Sequence, residues 1–196
     1  MPKSVEARQT LRRTWLSSDI WKWLGIEIKV VFIIGRPGGE DLSEEIETFK
    51  DLLILDFEEN HYGLPYKDVA FLQFVENSCS MVDFVFKGDD DIMLIPQNLK
   101  SVVENLRNSN FEATGCLKAK PVPMRSFTKY FIPLQMYPRD DYPAFFSGAA
   151  YLTTGNFSIS LAKTIPSVPV FPLDDVYIGA LAEAAGLRWA KTSKNY

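Results

Sequence analysis

The chain has few of the residues that most often hold transition metals or act as nucleophiles. Among its 196 residues there are two cysteines, Cys79 and Cys116, and one histidine, His61. These counts exclude a zinc site built from cysteine and histidine, and they leave a catalytic triad no choice of histidine. Any metal that the chain binds is therefore expected to have oxygen ligands. The two cysteines could form one disulfide or remain two buried thiols, and their number does not decide between these states.

The chain also lacks long apolar runs and an excess of positive charge. No stretch has the length of a membrane span, and the N-terminal "MPKSVEARQTLRRTWL" is too polar for a secretory signal, so we find no anchor in it. The net charge of -4 argues against a broad nucleic-acid-binding surface. A hydrophobic content of 46% is enough for one soluble globular domain, which we place over residues 1–196.

Strand and helix patterns alternate along the first half of the chain. β-Branched and apolar stretches predict strands at residues 26–35, 51–57 and 81–88. Apolar residues at helical spacing predict helices over residues 42–49 and 66–80 and after the proline at 96. This order favours an α/β fold with a mostly parallel sheet flanked by helices, in which ligands bind at the carboxyl ends of the strands. Beyond Phe111 the pattern is irregular until a strand at 145–156 and, over 171–187, a loop that enters a helix.

Three consecutive carboxylates, Asp89, Asp90 and Asp91, follow the third predicted strand in "FVFKGDDDIM". Ionised carboxylates repel one another, so packing alone does not favour this run. In an extended strand end, Asp89 and Asp91 point to the same side, so these two could address one ligand. Oxygen ligands of this kind suit Mg²⁺ or Mn²⁺ shared with substrate phosphates. The alternative is a solvated acidic turn, and so short a pattern does not decide between the two.

A second acidic pair, Asp174 and Asp175, stands at the predicted start of the last helix. One interpretation is helix capping, since aspartate is common at helix N-termini, where the backbone dipole tolerates negative charge. The other interpretation is general base catalysis, because a carboxylate aimed at a hydroxyl in a partly dry pocket can take its proton. Both interpretations remain open at this stage.

Two further features add no candidate ligand. The lone His61, in "EENHYGLPYK", is interpreted as a surface loop residue. The stretch "GRPGG" lacks the GxxxxGK[ST] order of a phosphate-binding loop, and we interpret it as a turn.

Five separated stretches together resemble one family, the β-1,3-glycosyltransferases, which include the β-1,3-galactosyltransferases, the β-1,3-N-acetylglucosaminyltransferases and Fringe. "RQTLRRTW" looks like the family's R-x-x-I-R-x-T-W, "VVFIIG" resembles its F-L-L-G strand, and "FVFKGDDDIM" is close to its K-x-D-D-D. "YPAFFSGAAYL" looks like Y-P-x-Y-x-S-G-x-x-Y, and "LDDVYIG" resembles E-D-V-x-x-G. In their order and spacing these stretches cover nearly the whole chain.

The resemblance implies a GT-A type fold with a Rossmann-like sheet, a UDP-sugar donor, a diphosphate bound through Mn²⁺ or Mg²⁺, and inversion at the anomeric carbon. It implies that Asp91 is the principal metal ligand, that Asp89 contacts the metal or the donor ribose, and that Asp175 is the base. The matched motifs assign the other candidates, with Asp90, Arg12 and Lys87 on the donor side and Gly148, Tyr151 and Asp174 on the acceptor side. For Arg12, ion pairing within the fold is an open alternative.

The enzyme implied by the resemblance is a hexosyltransferase that moves galactose or an N-acetylhexosamine to a glycan, glycolipid or glycoprotein through a β-1,3 linkage. The resemblance also implies a Golgi membrane enzyme with a lumenal catalytic domain, held by a signal-anchor that we do not find in this chain. One alternative is a weak or inactive UDP-sugar-binding relative. "DFEENHYGLPYK" departs from the family's D-F-x-D-x-Y-x-N-L-T-x-K, and no histidine follows Asp175. A metal-dependent nucleotidyltransferase is a more distant alternative.

Overall fold

The structure, a computed structural model, describes residues 1–60, 63–126 and 128–189. Its elements are α1 (Val5–Arg13), α2 (Ser18–Trp23), β1 (Phe32–Ile34), α3 (Ser43–Phe49), β2 (Leu52–Ile54), α4 (Leu64–Ser78), β3 (Phe84–Gly88), α5 (Pro96–Arg107), β4 (Ala113–Lys118), β5 (Phe145–Thr154), α6 (Gly155–Thr164), a 3₁₀ helix (Ile165–Ser167) and α7 (Asp174–Ala184). The predicted alternation of strand and helix is confirmed, although β1 and β2 are shorter than predicted. The interpretation of His61 falls outside the described residues. None of the described helices has the length and apolar character needed to cross a membrane.

The first sheet is a parallel pair. β1 pairs with β2 in a register that places Phe32 opposite Leu52 and Ile34 opposite Ile54, and α3 connects the two strands. A parallel pair needs such a crossover, because the chain must return to the same end of the sheet before the second strand begins. This unit confirms the α/β expectation for the first part of the chain.

The second sheet is antiparallel, and here the prediction of a mostly parallel sheet is wrong for the described strands. Its order is β3-β5-β4, and β5 runs antiparallel to both of its neighbours. β5 is ten residues long, so it can pair with β3 on one edge and with β4 on the other. β4 lies in the region that the sequence analysis left irregular. Apolar pattern predicts a strand but does not give its direction or partner.

The main core lies between this sheet and the last helices. Leu72 of α4, Phe146 of β5, Phe157 of α6 and Leu181 of α7 are all almost completely buried in one cluster. The turn from β5 into α6 requires a glycine, since a Cβ at Gly155 would lie 1.8 Å from the Val82 carbonyl oxygen. This packing fixes the start of α7 beside the end of β3.

A buried ion pair ties α1 to α3. The Arg8 Nε donates to Glu45 Oε1 at 2.8 Å and its Nη2 donates to Glu45 Oε2 at 2.6 Å, and both side chains are buried. These hydrogen bonds lower the pKa of Glu45, burial opposes them, and Arg12 lowers that pKa further. The ionised carboxylate is therefore the form that stabilises the fold.

We expect the contribution of Glu45 to stability to depend on pH. Because its pKa in the folded state is below the ordinary value of 4.5, the contribution is fully present above that pH. It is lost as the pH falls through the lowered pKa. Glu45→Gln should reduce the free energy of unfolding by about 2 kcal/mol at neutral pH. Urea unfolding of the wild type and the variant from neutral to acidic pH measures this difference, which should shrink toward acid.

The matched control is Glu44→Gln, which removes the exposed carboxylate of the residue immediately before Glu45. This variant should differ little from the wild type at any pH. A stability difference for Glu45→Gln that stays constant from neutral to acidic pH would contradict the assignment of Glu45 as the titrating partner of Arg8.

The two cysteines are free thiols. Cys79 is half-buried at the end of α4, and Cys116 is exposed in β4. Of the two states left open by the composition, the structure shows the reduced one. Only Cys79 is partly covered, so the expectation of two buried thiols is wrong for Cys116.

Candidate active site

A large cleft runs between the two sheets. Its volume is about 1890 Å³, and its walls include residues of β1, β3, β5 and the first turn of α7. The acidic cluster (Asp89, Asp90 and Asp91) and the acid pair (Asp174 and Asp175) line this same cleft. The structure therefore brings together two groups of carboxylates that are more than eighty residues apart in the sequence.

The acidic cluster lies at the carboxyl end of β3, as the sequence predicts. Strand β3 ends at Gly88, and Asp90 and Asp91 form a turn. The prediction that Asp89 and Asp91 point to the same side of an extended strand end is therefore wrong in its geometry, although both residues line the cleft. Asp89 and Asp91 are exposed, and Asp90 is half-buried. Water and a ligand can reach the carboxylates at the end of the strand.

The electrostatics of Asp89 reflect its crowded position. Loss of solvation raises the pKa of Asp89, the Lys87 ammonium lowers it, and the negative charges of Asp91, Asp174 and Asp90 raise it again. Loss of solvation is the largest cause of the net rise, and repulsion between Asp89 and the three neighbouring carboxylates adds to it. A bound cation would relieve this repulsion.

Lys87, the last residue but one of β3, lies at the base of the cluster. Its Nζ is 2.7 Å from Asp68 Oδ1 and 2.9 Å from Asp68 Oδ2. It also lies 3.9 Å from Asp174 Oδ2 and 5.6 Å from the centroid of the Tyr151 ring. Burial alone would lower the pKa of Lys87, but Asp68, Tyr151 and Asp174 raise it, so the ammonium stays charged.

The acid pair occupies the first turn of α7. Leu173 is the N-cap, so Asp174 and Asp175 are the first two helical residues and neither is the capping residue. Their position still agrees with the helix dipole, which favours negative charge in this turn. Both side chains are half-buried and line the cleft, where a carboxylate can meet a substrate hydroxyl.

β5 supplies Gly148 and Tyr151. Tyr151 pairs with Lys87 across the β3-β5 ladder, and its side chain is buried in the wall of the cleft. Among the described residues, its hydroxyl has no hydrogen-bond partner. Burial raises the pKa of Tyr151, so the hydroxyl is kept protonated and can donate to a ligand.

Comparison with known proteins identifies the family to which the chain belongs. The sequence model of the family described as "Galactosyltransferase" matches residues 6–193. The chain belongs to the galactosyltransferase family. The matched residues include both sheets, the acidic cluster and the acid pair. The resemblance that the motifs indicated is therefore confirmed.

Curated relatives of this galactosyltransferase-family chain are β-1,3-glycosyltransferases. It is 29% identical over 93% of its length to UDP-GlcNAc:betaGal beta-1,3-N-acetylglucosaminyltransferase 7 of Mus musculus, covering 49% of that protein. It is 31% identical over 95% of its length to acetylgalactosaminyl-O-glycosyl-glycoprotein beta-1,3-N-acetylglucosaminyltransferase of the same species, covering 50% of that protein. To beta-1,3-galactosyltransferase 5 of Homo sapiens it is 28% identical over 95% of its length, covering 61% of that protein. The chain spans about half the length of most of these relatives.

Arg12 of this galactosyltransferase-family chain lies in an ion-pair network. Its Nε and Nη2 donate to Asp51 at 2.8 and 2.7 Å, its Nη1 is 2.8 Å from Glu45 Oε1, and its guanidinium stacks 4.0 Å from the centroid of Phe49. Arg12 does not occur among the described residues that line the cleft. These contacts agree with the alternative in which Arg12 forms ion pairs within the fold. A role of Arg12 in binding the UDP-sugar donor stays a prediction.

Asp68 is a residue of the site that the sequence analysis missed. It lies on α4, it is 4% exposed, and it is the main partner of Lys87. A signal was present, because Asp68 precedes Leu72 by four residues and Val75 by seven and so shares their buried helix face. A carboxylate in a buried stripe needs a charged partner, but the sequence does not say which one.

Proposed function

We propose that this chain carries the active site of an inverting glycosyltransferase. It transfers galactose or an N-acetylhexosamine from a UDP-sugar to a hydroxyl of a glycan, glycolipid or glycoprotein and forms a β-1,3 linkage. The observation that carries the proposal is that the acidic cluster and the acid pair line one cleft. The names of the relatives support the class of reaction.

The acidic cluster is the proposed binding place for Mn²⁺ or Mg²⁺. No group of three or more His, Cys, Asp or Glu is placed to hold a metal within residues 1–60, 63–126 and 128–189. The exposed oxygens of Asp91 and Asp89 fit a different arrangement, in which one or two carboxylates share a cation with substrate phosphates and water. When bound, the cation stabilises the negative charge that develops on the leaving diphosphate. Asp90 and Lys87 complete the donor side of this proposal.

Asp175 is the proposed general base. An inverting displacement needs the acceptor oxygen to attack the face of the sugar opposite the leaving diphosphate, so the base must stand apart from the phosphate site. Asp175 lies on α7, a different element from the turn that carries the acidic cluster, and we propose that it faces the acceptor side of the cleft. It takes the proton of the acceptor hydroxyl as the bond to the anomeric carbon forms.

The acceptor side of the proposal consists of Asp174, Tyr151 and Gly148. The half-buried Asp174 can accept a hydrogen bond from a sugar hydroxyl, and the buried Tyr151 hydroxyl can donate one. Gly148 lies in β5, three residues before Tyr151. These groups orient the acceptor toward Asp175, and specificity for the acceptor follows from their hydrogen bonds.

We place the two sheets within a GT-A type arrangement and the reaction in the Golgi lumen. The parallel β1-β2 pair joined by α3 supports the first point, since it is the unit from which Rossmann-like sheets are built. Family membership supports the second.

A weak or inactive UDP-sugar-binding relative is the second candidate. "DFEENHYGLPYK" departs from the family's pattern and no histidine follows Asp175, and these two departures favour a weak or inactive enzyme. Donor binding without transfer would identify this alternative.

Calorimetric titration of UDP, UDP-galactose, UDP-N-acetylglucosamine and UDP-N-acetylgalactosamine tests the donor, with Mn²⁺ in one series and a chelator in the other. We expect one UDP-sugar to bind only when Mn²⁺ is present, because the metal links the acidic cluster to the diphosphate. Binding that is equal in both series would refute the metal site, and no binding in either would refute the donor assignment.

A further inference from the structure

Asp68 and Lys87 form a charged pair behind the acidic cluster. Both oxygens of Asp68 contact the Lys87 Nζ, at 2.7 and 2.9 Å. Asp68 is 4% exposed, so its charge is compensated by the lysine and not by water. The pair joins α4 to β3 across a gap of nineteen residues in the sequence.

The position of the Lys87 ammonium is restricted on two further sides. The ring of Tyr151 lies 5.6 Å from Nζ, a distance at which the aromatic face attracts a cation. Asp174 Oδ2 lies 3.9 Å away and belongs to the first turn of α7. The ammonium therefore connects the buried carboxylate of α4 with the N-terminal end of α7.

The charge of Asp68 also acts on α7. Tyr177, two residues after Asp175, is completely buried, and burial together with the negative charge of Asp68 raises its pKa. α4 and α7 pack on each other, with Leu72 and Leu181 in the same core cluster. A change of charge at Asp68 is thus felt at the turn that presents the acid pair.

We propose that Asp68 is a positioning residue: it anchors the Lys87 ammonium and, through Lys87, holds the first turn of α7 so that Asp175 is correctly placed in the cleft. The link to catalysis rests on the proposed function, whereas the link to α7 rests on the contacts alone. The effect of Asp68 is on the geometry of the base.

Hydrogen–deuterium exchange tests the link to α7 without any substrate. Asp68→Asn keeps the shape of the side chain but removes the charge that anchors Lys87. We expect exchange of the backbone amides over residues 173–181 to become about tenfold faster. Glu183→Gln is the matched control, because it removes an exposed carboxylate from the other end of the same helix, and it should leave this exchange unchanged.

A second variant covers the case in which Asp68→Asn does not fold. Asp174→Asn removes the other end of the ion-pair chain at a side chain that is 30% exposed, so the fold should tolerate it. It should accelerate the same amides. Exchange over 173–181 that equals the wild type in the variants that fold would overturn the proposal.

Kinetics test the link to the base. Asp68→Asn should lower kcat by at least about tenfold, since small displacements of a base are costly. Because Lys87 is also a donor-side residue, the affinity for UDP with Mn²⁺ should fall as well, but by a smaller factor than kcat. Asp68→Glu, which keeps the charge, should recover part of kcat. A loss confined to UDP affinity, or a kcat equal to that of Glu183→Gln, would overturn the positioning role. A wild type that neither binds UDP-sugars nor transfers sugar would count against the proposed function, and exchange would still decide on Asp68.

Discussion

Asp175→Asn is expected to abolish sugar transfer while leaving UDP binding nearly intact. The amide has the shape of the carboxylate but cannot take a proton at neutral pH, so the general base is lost. Such a loss lowers kcat by about 10³-fold. Initial rates at saturating donor and acceptor measure kcat, and calorimetric titration of UDP with Mn²⁺ measures donor affinity.

The positions of Asp175 and the acidic cluster on different elements are the reason to expect a loss of kcat without a loss of UDP affinity. Asp175 belongs to α7, and the acidic cluster that would hold the diphosphate belongs to the turn after β3. The substitution also removes a negative charge from a helix N-terminus, which costs about 0.3 to 1 kcal/mol of stability. Thermal unfolding of the variant should therefore show only a small decrease in Tm.

Glu183→Gln is the control for this experiment as well. It makes the same chemical change on the same helix, at a side chain that is 54% exposed and pairs with Arg139 on the surface. Its turnover should equal that of the wild type. Normal turnover in Asp175→Asn would remove Asp175 from the mechanism, and a parallel loss of UDP affinity would place it on the donor side instead.

Asp91→Ala is expected to remove the Mn²⁺-dependent part of UDP affinity. With so few protein ligands available, one carboxylate carries a large share of the metal binding, and its loss should weaken UDP binding in Mn²⁺ by at least about 100-fold. Affinity in chelator should not change. Because Asp91 is exposed in a turn, the substitution leaves the core untouched, and the free energy of unfolding should stay within about 0.5 kcal/mol.

The control is Asp19→Ala, which removes an exposed carboxylate from α2, far from the acidic cluster in the sequence and not part of the cleft lining among the described residues. This variant separates the local effect of Asp91 from the change in net charge. Unchanged metal-dependent affinity in Asp91→Ala would refute the assignment of Asp91 as the principal ligand. An equal loss in both variants would point to long-range charge instead of a ligand.

The order of the strands and helices from β1 to α5 and the place of the acidic cluster could be predicted from the sequence. Apolar periodicity marks β3 and α5, and the proline at position 96 marks where α5 begins. These features are local, because they depend on residues within one or two turns of each other. The same holds for the motifs that carry the family resemblance, which the family match over residues 6–193 confirms.

Which carboxylates share a cleft was decided by the tertiary structure. Asp91 and Asp175 are far apart in the chain, and only the packing of β3, β5 and α7 brings them to the same walls. The direction of β3 was also decided there. Its partner, β5, follows more than fifty residues later, and an apolar strand pairs equally well with a parallel or an antiparallel neighbour until the rest of the sheet is in place.

The pairing of buried charges shows most clearly what the sequence determines and what only the tertiary structure decides. The sequence by itself predicted a helix over residues 66–80, which contains Asp68, and a strand over residues 81–88, in which Lys87 is the last residue but one. Only the tertiary structure decided that these two side chains meet at 2.7 Å and extend to α7 through Asp174. The physical reason is that burial forces a charge to find an opposite charge, while which one it finds depends on the packing of elements that are distant in the chain.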